Sequence, residues 1–219
     1  MAARILPFGD AAILVELEPH ASIDGARRAR ALASAITAAP TIPDGLGTPI
    51  PAAASVLVPF DPAAIYAEQV EELLRHVLAG GVPEAPPPTD PTLHRIPVRY
   101  GGDDGPDLEP VAADLGMTVS DVVDLHTGVE VEVLFLGFAP GFAYLGELSP
   151  RLRVPRLATP RVRVPAGSVA IAGAMSAVYP HESAGGWRIL GRADVELFDP
   201  AADPPNLLRP GDRVRFEPA

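Results

Sequence analysis

Residue types able to do chemistry concentrate in two stretches of the chain. The first runs Leu136-Gly137-Phe138-Ala139-Pro140-Gly141-Phe142-Ala143-Tyr144-Leu145-Gly146. Glycines there let the backbone turn sharply or approach a ligand closely, and the rings could wall a pocket. An aromatic-lined turn that closes a barrel would use the same residues. The second stretch holds Pro160-Arg161, Pro165-Ala166-Gly167-Ser168-Val169, Tyr179-Pro180, Gly185-Gly186-Trp187 and Gly191-Arg192. A guanidinium to fix an anion, exposed backbone N–H groups, a hydroxyl and a flat aromatic wall are the parts of a carboxylate or amide site. Arg161 and Arg192 are therefore candidate catalytic groups, against the commoner fate of arginine as a surface charge paired with carboxylates. Phe138, Pro140, Gly141, Phe142, Gly167, Ser168, Tyr179, Gly186 and Trp187 are candidate substrate contacts.

His126 is the one histidine that local pattern places on a core-facing helix surface, where it suits either a general base or a hydrogen-bonded core residue. His181 is a weaker candidate, and His20, His76 and His94 read as peripheral. Ser168 sits in Ala-Gly-Ser-Val-Ala, not the Gly-x-Ser-x-Gly elbow, so hydrogen bonding is its expected work rather than nucleophilic attack. Asp103, Asp104 and Asp107 in Tyr-Gly-Gly-Asp-Asp-Gly-Pro-Asp read as turn residues, with Asp107 capping the next helix; no metal site is expected.

Composition narrows the chemistry. The chain has no cysteine, which removes disulfides, thiolate metal sites and a cysteine nucleophile. All 17 basic residues are arginine, so this chain has no Walker-type phosphate lysine, Schiff-base lysine or biotinyl lysine. A net charge of -11 disfavours nucleic acid. No apolar run reaches the roughly 20 residues that span a bilayer, and no secretory leader is evident; a cytoplasmic protein without a membrane partner is expected.

The elements that must position these residues divide into two sets. Arg4 to Pro7 and Ala11 to Leu17 alternate as strands around a Gly9-Asp10 turn. Apolar spacing predicts a helix from Ser22 to about Ala38, a buried strand from Ala53 to Pro59, and a second helix capped by Asp61-Pro62. Tyr66, Val70, Leu73 and Val77 form that helix's apolar face, and Gly80-Gly81 ends it. Residues 83–93, with Pro86-Pro87-Pro88, read as a semi-rigid linker between domains 1–82 and 94–219. Beyond it come a strand from His94 to Tyr100 and two short helices. The later one opens on a Thr118/Asp121 capping box, stops at Gly128, and aligns Val119, Val122, Val123 and His126. A strand from Val131 to Phe135 and many short strands then suggest a closed barrel or sandwich. The fold class is α+β.

Taken together, Tyr100-Gly101-Gly102 with Gly105-Pro106-Asp107-Leu108, His126-Thr127, Gly137-Phe138-Ala139-Pro140-Gly141-Phe142, Pro165-Ala166-Gly167-Ser168-Val169 and Gly186-Trp187 resemble the allophanate hydrolase subunit 1 family over essentially the whole chain. That family includes the B-type subunit of 5-oxoprolinase, the sporulation-kinase inhibitor KipI and part of the carboxyltransferase domain of urea carboxylase. The resemblance implies a small α+β N-terminal domain and a cyclophilin-like β-barrel. It also implies a companion, either allophanate hydrolase subunit 2 or the C-type subunit of 5-oxoprolinase, with the A-type subunit of 5-oxoprolinase as a third component. The implied activity opens the lactam of 5-oxoproline to glutamate with ATP hydrolysis, ATP being bound mainly by a partner and no cofactor by this chain alone. A KipI-like kinase inhibitor and a carboxyltransferase component are the alternatives. One departure concerns specificity: the family pattern Ala-Gly-x-Gln-Thr-Gly is here Ala172-Gly173-Ala174-Met175-Ser176-Ala177, so an amide is replaced by a thioether that donates no hydrogen bond.

Overall fold

The computed structural model describes residues 3–18, 22–82 and 90–219. His20 and residues 83–89 of the expected linker lie outside that set. The chain divides into two compact units, Met1–Thr89 and Asp90–Ala219.

The first unit is a four-stranded antiparallel sheet with two helices. Its elements are β1 (Arg4–Pro7), β2 (Ala12–Glu16), α1 (Ile23–Thr37), β3 (Ile50–Pro51), β4 (Ser55–Pro59) and α2 (Ala67–Leu78), with strand order β1-β2-β4-β3. Alternation sends Ile13 and Val15 of β2 and Val56 and Val58 of β4 to one buried face. Against it pack Ala29, Leu32 and Ile36 of α1 and Val70 and Leu74 of α2. Ser22 starts α1 by accepting from the Gly25 N–H at 2.8 Å.

Two expectations for this unit are corrected. Asp61-Pro62 does not begin α2: the Asp61 carboxylate accepts from the Ala63 N–H and its carbonyl from Ala64 and Ile65, closing a separate turn. The helix starts only after Tyr66, whose N–H donates to the Gln69 side chain. Tyr66 is consequently exposed, and the inward face is Val70 and Leu74 with Val77 half-buried. The two-residue β3 is too short to leave a periodic signal.

The second unit carries β5 (Leu93–Tyr100), α3 (Leu108–Leu115), α4 (Val119–Thr127), β6 (Val131–Leu136), β7 (Ala143–Gly146), β8 (Arg161–Val164), β9 (Ser168–Ala172), β10 (Met175–Val178), β11 (Ser183–Gly185), β12 (Arg188–Ala193) and β13 (Arg213–Pro218). Seven strands close a barrel in the order β10-β7-β6-β13-β5-β12-β9, while β8 and β11 pair separately as a two-stranded sheet. Only β13 and β5 run parallel; the other barrel pairs are antiparallel. Closure removes free edges and lets β-branched side chains such as Val98, Val133, Val169, Ile171 and Val214 fill one interior.

The Thr118/Asp121 capping box forms, with Asp121 N–H donating to Thr118 Oγ1 at 3.1 Å and Thr118 N–H to Asp121 Oδ2 at 2.9 Å. The inward residues of α4 are Val122 and His126, whereas Val119 is exposed. His94 is not peripheral. It pairs with Asp212 at 3.1 Å, and Asp212 also accepts from Thr92 N–H, which ties the start of β5 to the start of β13.

Candidate functional site

His126 lies in the barrel interior rather than in a site. Its Nε2 meets Ser176 Oγ at 2.9 Å, and that hydroxyl donates onward to the Ala170 carbonyl at 3.1 Å. The Ser176 oxygen therefore accepts from Nε2–H, which leaves Nδ1 to accept from the Tyr100 hydroxyl at 2.6 Å. Phe216 stacks on the ring at 4.4 Å. Complete burial of the imidazole lowers its pKa from 6.5 to about 3, because a charged ring would have no water around it. The same burial raises the Tyr100 phenol. Both nitrogens are occupied and the ring is sealed, so the catalytic role expected of His126 gives way to a structural one.

The aromatic candidates gather into a packed cluster. Phe142 contacts Tyr144, Tyr179 and Trp187 edge-on at centroid distances of 5.0, 5.3 and 6.0 Å. Phe142, Tyr179 and Trp187 are buried with Val164, Ala170 and Ile189, so their first duty is packing. Met175 sits against this cluster, which explains how an apolar thioether is accommodated at that position. Arg156 lies over the Trp187 ring at 5.8 Å. Gly141, at φ +79°, is required: a Cβ there would come within 2.7 Å of Phe198 Cβ. Gly186 is buried yet has no such clash. Phe138 meets Phe142 edge-on at 5.2 Å from the exposed side of the cluster, itself 63% exposed, and Pro140 is exposed.

Arg161, Ser168 and Arg192 are the candidates brought together around open space. They line a cleft of about 230 Å³ with Asp103, Asp104, Pro106, Arg163, Pro165 and Ile189. Arg161 is held by Asp107 through two bonds of 2.8 and 2.9 Å. Asp107 is only 4% exposed and also accepts from the Ile189 N–H at 2.7 Å. This corrects the capping role expected of Asp107, whose side chain makes no cap bond to α3: a charged partner and a buried N–H outcompete the helix end. The contribution of Asp107 was missed from sequence, although the Arg161-Val162-Arg163 alternation, which puts both arginines on one side of a strand, was a usable signal. Gly167, at φ +79°, lets the 165–168 turn press on the Ala193 carbonyl, which a Cβ would meet at 2.3 Å.

Part of the expected supply of backbone donors is already used. The N–H groups of Gly137, Phe142, Gly167, Ser168 and Tyr179 all donate to backbone carbonyls, at 3.1, 3.0, 2.7, 3.3 and 2.9 Å. Among the side chains that line this cleft, guanidinium and hydroxyl groups are those able to stabilise negative charge. A larger hollow of about 480 Å³ lies in the first unit, but its Arg28 and Arg75 are committed to Glu18 and Glu71. Size alone does not make it the better candidate. Among the described residues no group of His, Asp and Glu could hold a metal ion, and no helix is long and apolar enough to cross a membrane.

Residues 3–208 match the sequence profile described as carboxyltransferase domain, subdomain C and D. The chain belongs to that carboxyltransferase-domain family. Within the family, it is 42% identical over 217 residues to the B-type subunit of 5-oxoprolinase from Escherichia coli O157:H7, covering 99% of this chain and 96% of that one. The crystal structure of TTHA0988 shares 40% identity and a TM-score of 0.78, covering 95% of this chain but only 39% of that longer chain. The urea carboxylase of Kluyveromyces lactis superimposes with a TM-score of 0.80 at 22% identity, over 99% of this chain and 22% of that one, a likeness of fold. Carboxyltransferase-domain architecture, with its cyclophilin-like barrel, thus accounts for the α+β organisation of the chain.

Proposed function

We propose that this chain is the B-type component of an ATP-dependent 5-oxoprolinase complex that opens the lactam of 5-oxoproline to glutamate. The observation that carries the reading is the 42% identity, spread over nearly the whole of both chains, to a protein named as the B-type subunit of 5-oxoprolinase. The name supports companion subunits, and we assign these as a C-type and an A-type component. Because this chain has no lysine, ATP is left to be bound mainly by those partners, and we place the activity in the cytoplasm, where ATP is supplied.

Ring opening requires a lactam carbonyl to become electrophilic and its developing oxyanion to be stabilised. Of the groups lining the cleft, the one of this chain suited to that work is the Arg161 guanidinium. The test is to co-express the chain with the companion subunits of its own genome and measure phosphate release stimulated by 5-oxoproline. Stimulation that needs this chain supports the reading. A stable complex with no stimulation contradicts it and favours carboxyl transfer or another amide, and failure of any complex to form favours an interaction protein of the kinase-inhibitor kind.

A further inference from the structure

The Arg192 guanidinium forms no hydrogen bond or ion pair with any described residue, in a chain rich in carboxylates. Asp and Glu outnumber Arg by 28 to 17, and the neighbouring cations of the cleft are each engaged, Arg161 by Asp107 and Arg163 by Glu182. Asp104, which also lines the cleft, is committed to Arg99 at 2.9 Å. Arg192 is nevertheless not a loose surface side chain, because β12 holds it in the barrel wall directly opposite Ser168 of β9. Residues in that register project from the same face of a sheet, with Cβ atoms about 5 Å apart.

Ser168 supplies a second, independent pointer. The residue is 2% exposed and lines the cleft, yet its Oγ makes no hydrogen bond within the described residues. Ser168 Oγ is not among the fully buried unsatisfied atoms and so is open to the cleft, where an unengaged hydroxyl beside an unengaged guanidinium offers a place for an incoming acceptor. A planar guanidinium can offer two parallel N–H donors and the hydroxyl a third, which is the donor set of a carboxylate. On the rim, the Asp103 carboxylate is also unengaged among the described residues and can accept from an N–H next to that carboxylate.

We propose that this cleft is a receptor for a small carboxylate carrying an adjacent N–H, with Arg192 and Ser168 as the carboxylate contacts. This assignment rests on the 5-oxoprolinase reading for its choice of ligand, 5-oxoproline, but not for the chemistry of the cleft. The carboxylate is thereby anchored away from the reacting carbonyl, and selectivity comes from charge: 2-pyrrolidinone, the same lactam without a carboxylate, loses the charge-assisted bonds and binds at least tenfold more weakly.

The experiment titrates 5-oxoproline and 2-pyrrolidinone into the full chain, alone and within its co-purified complex, by calorimetry, and measures KM for 5-oxoproline and for ATP in the complex. The expected result is saturable binding of 5-oxoproline, a preference of at least tenfold over 2-pyrrolidinone, and a loss of at least tenfold in Arg192→Ala, partly restored in Arg192→Lys. Ser168→Ala should weaken binding severalfold, whereas Arg151→Ala, outside the cleft, should change nothing. In the complex, KM for 5-oxoproline should rise in Arg192→Ala while KM for ATP stays put. Binding unaffected by Arg192→Ala, equal binding of the two lactams, or no binding in either form overturns the proposal. Turnover with an unchanged KM in Arg192→Ala overturns it while leaving the 5-oxoprolinase reading intact. Carboxylate binding through Arg192 without any lactam turnover upholds it and removes that reading instead.

Discussion

The buried pairing of Asp107 with Arg161 should behave as one energetic unit, which a double-mutant cycle can measure. Removing the guanidinium in Arg161→Ala strands a carboxylate that is 4% exposed. Breaking a fully buried pair in this way costs about 3–5 kcal/mol. Arg161 keeps 29% of its side chain in solvent, and Asp107 retains the Ile189 N–H, so about 2–3 kcal/mol is the expected loss. Asp107→Ala removes both bonds to Arg161 and leaves the buried Ile189 N–H without its acceptor, for a loss of about 2–3 kcal/mol. In the double variant neither charge is stranded, and only the orphaned N–H remains. Its cost should therefore match Asp107→Ala alone, giving a coupling energy equal to the Arg161→Ala loss, about 2–3 kcal/mol. Urea unfolding followed by tryptophan fluorescence is the appropriate assay. Trp187 is the sole tryptophan and reports the barrel unit it packs in, free of signal from the other unit. Losses in the two single variants that sum, within about 0.5 kcal/mol, to the loss in the double variant would refute the coupling.

Three further outcomes follow from the same structure. Above pH 6.5, His126 is neutral both folded and unfolded and adds no pH dependence; below it the unfolded chain takes a proton that the folded chain refuses until about pH 3. Stability should thus fall by about 2 kcal/mol between pH 7.5 and 5 from this residue, and His126→Gln should lose that much less over the same interval; equal losses would contradict a buried neutral imidazole. Trp187→Ala should destabilise the barrel by about 3–5 kcal/mol, read by circular dichroism, whereas a loss of turnover in a variant of unchanged stability would make Trp187 a contact rather than a packing residue. Arg192→Ala, with no partner to strand among the described residues, should shift unfolding free energy by no more than about 0.5 kcal/mol, and a larger loss would show that its charge is engaged within the fold.

Elements with local physical causes were legible in the sequence, and contacts distant in the chain were not. α1 follows from its apolar spacing and Ser22, and α4 opens on its capping box because Thr118 and Asp121 bond across a single turn. The start of α2 was misplaced because Asp61 commits the same hydrogen-bonding capacity to an isolated turn, an outcome with an identical local signature. In the cleft, the grouping of the candidate residues was not visible in the sequence. Arg161, Ser168 and Arg192 meet because β8, β9 and β12 lie near one another in space, and no spacing along the chain encodes that register. His126 and Trp187 were drawn into the site by their chemistry, but burial gave them to the core. The glycine-rich segments suggested free donors, and the tight turns they permit use some of those donors in backbone bonds, as at Gly137, Phe142 and Gly167.

The central claim is tested most directly by following labelled 5-oxoproline to glutamate in the reconstituted complex, with this chain present, omitted, and added back. The account predicts glutamate formation coupled to ATP hydrolysis only when this chain is present, and recovery on adding it back. Glutamate formation at the same rate without it would contradict the assignment.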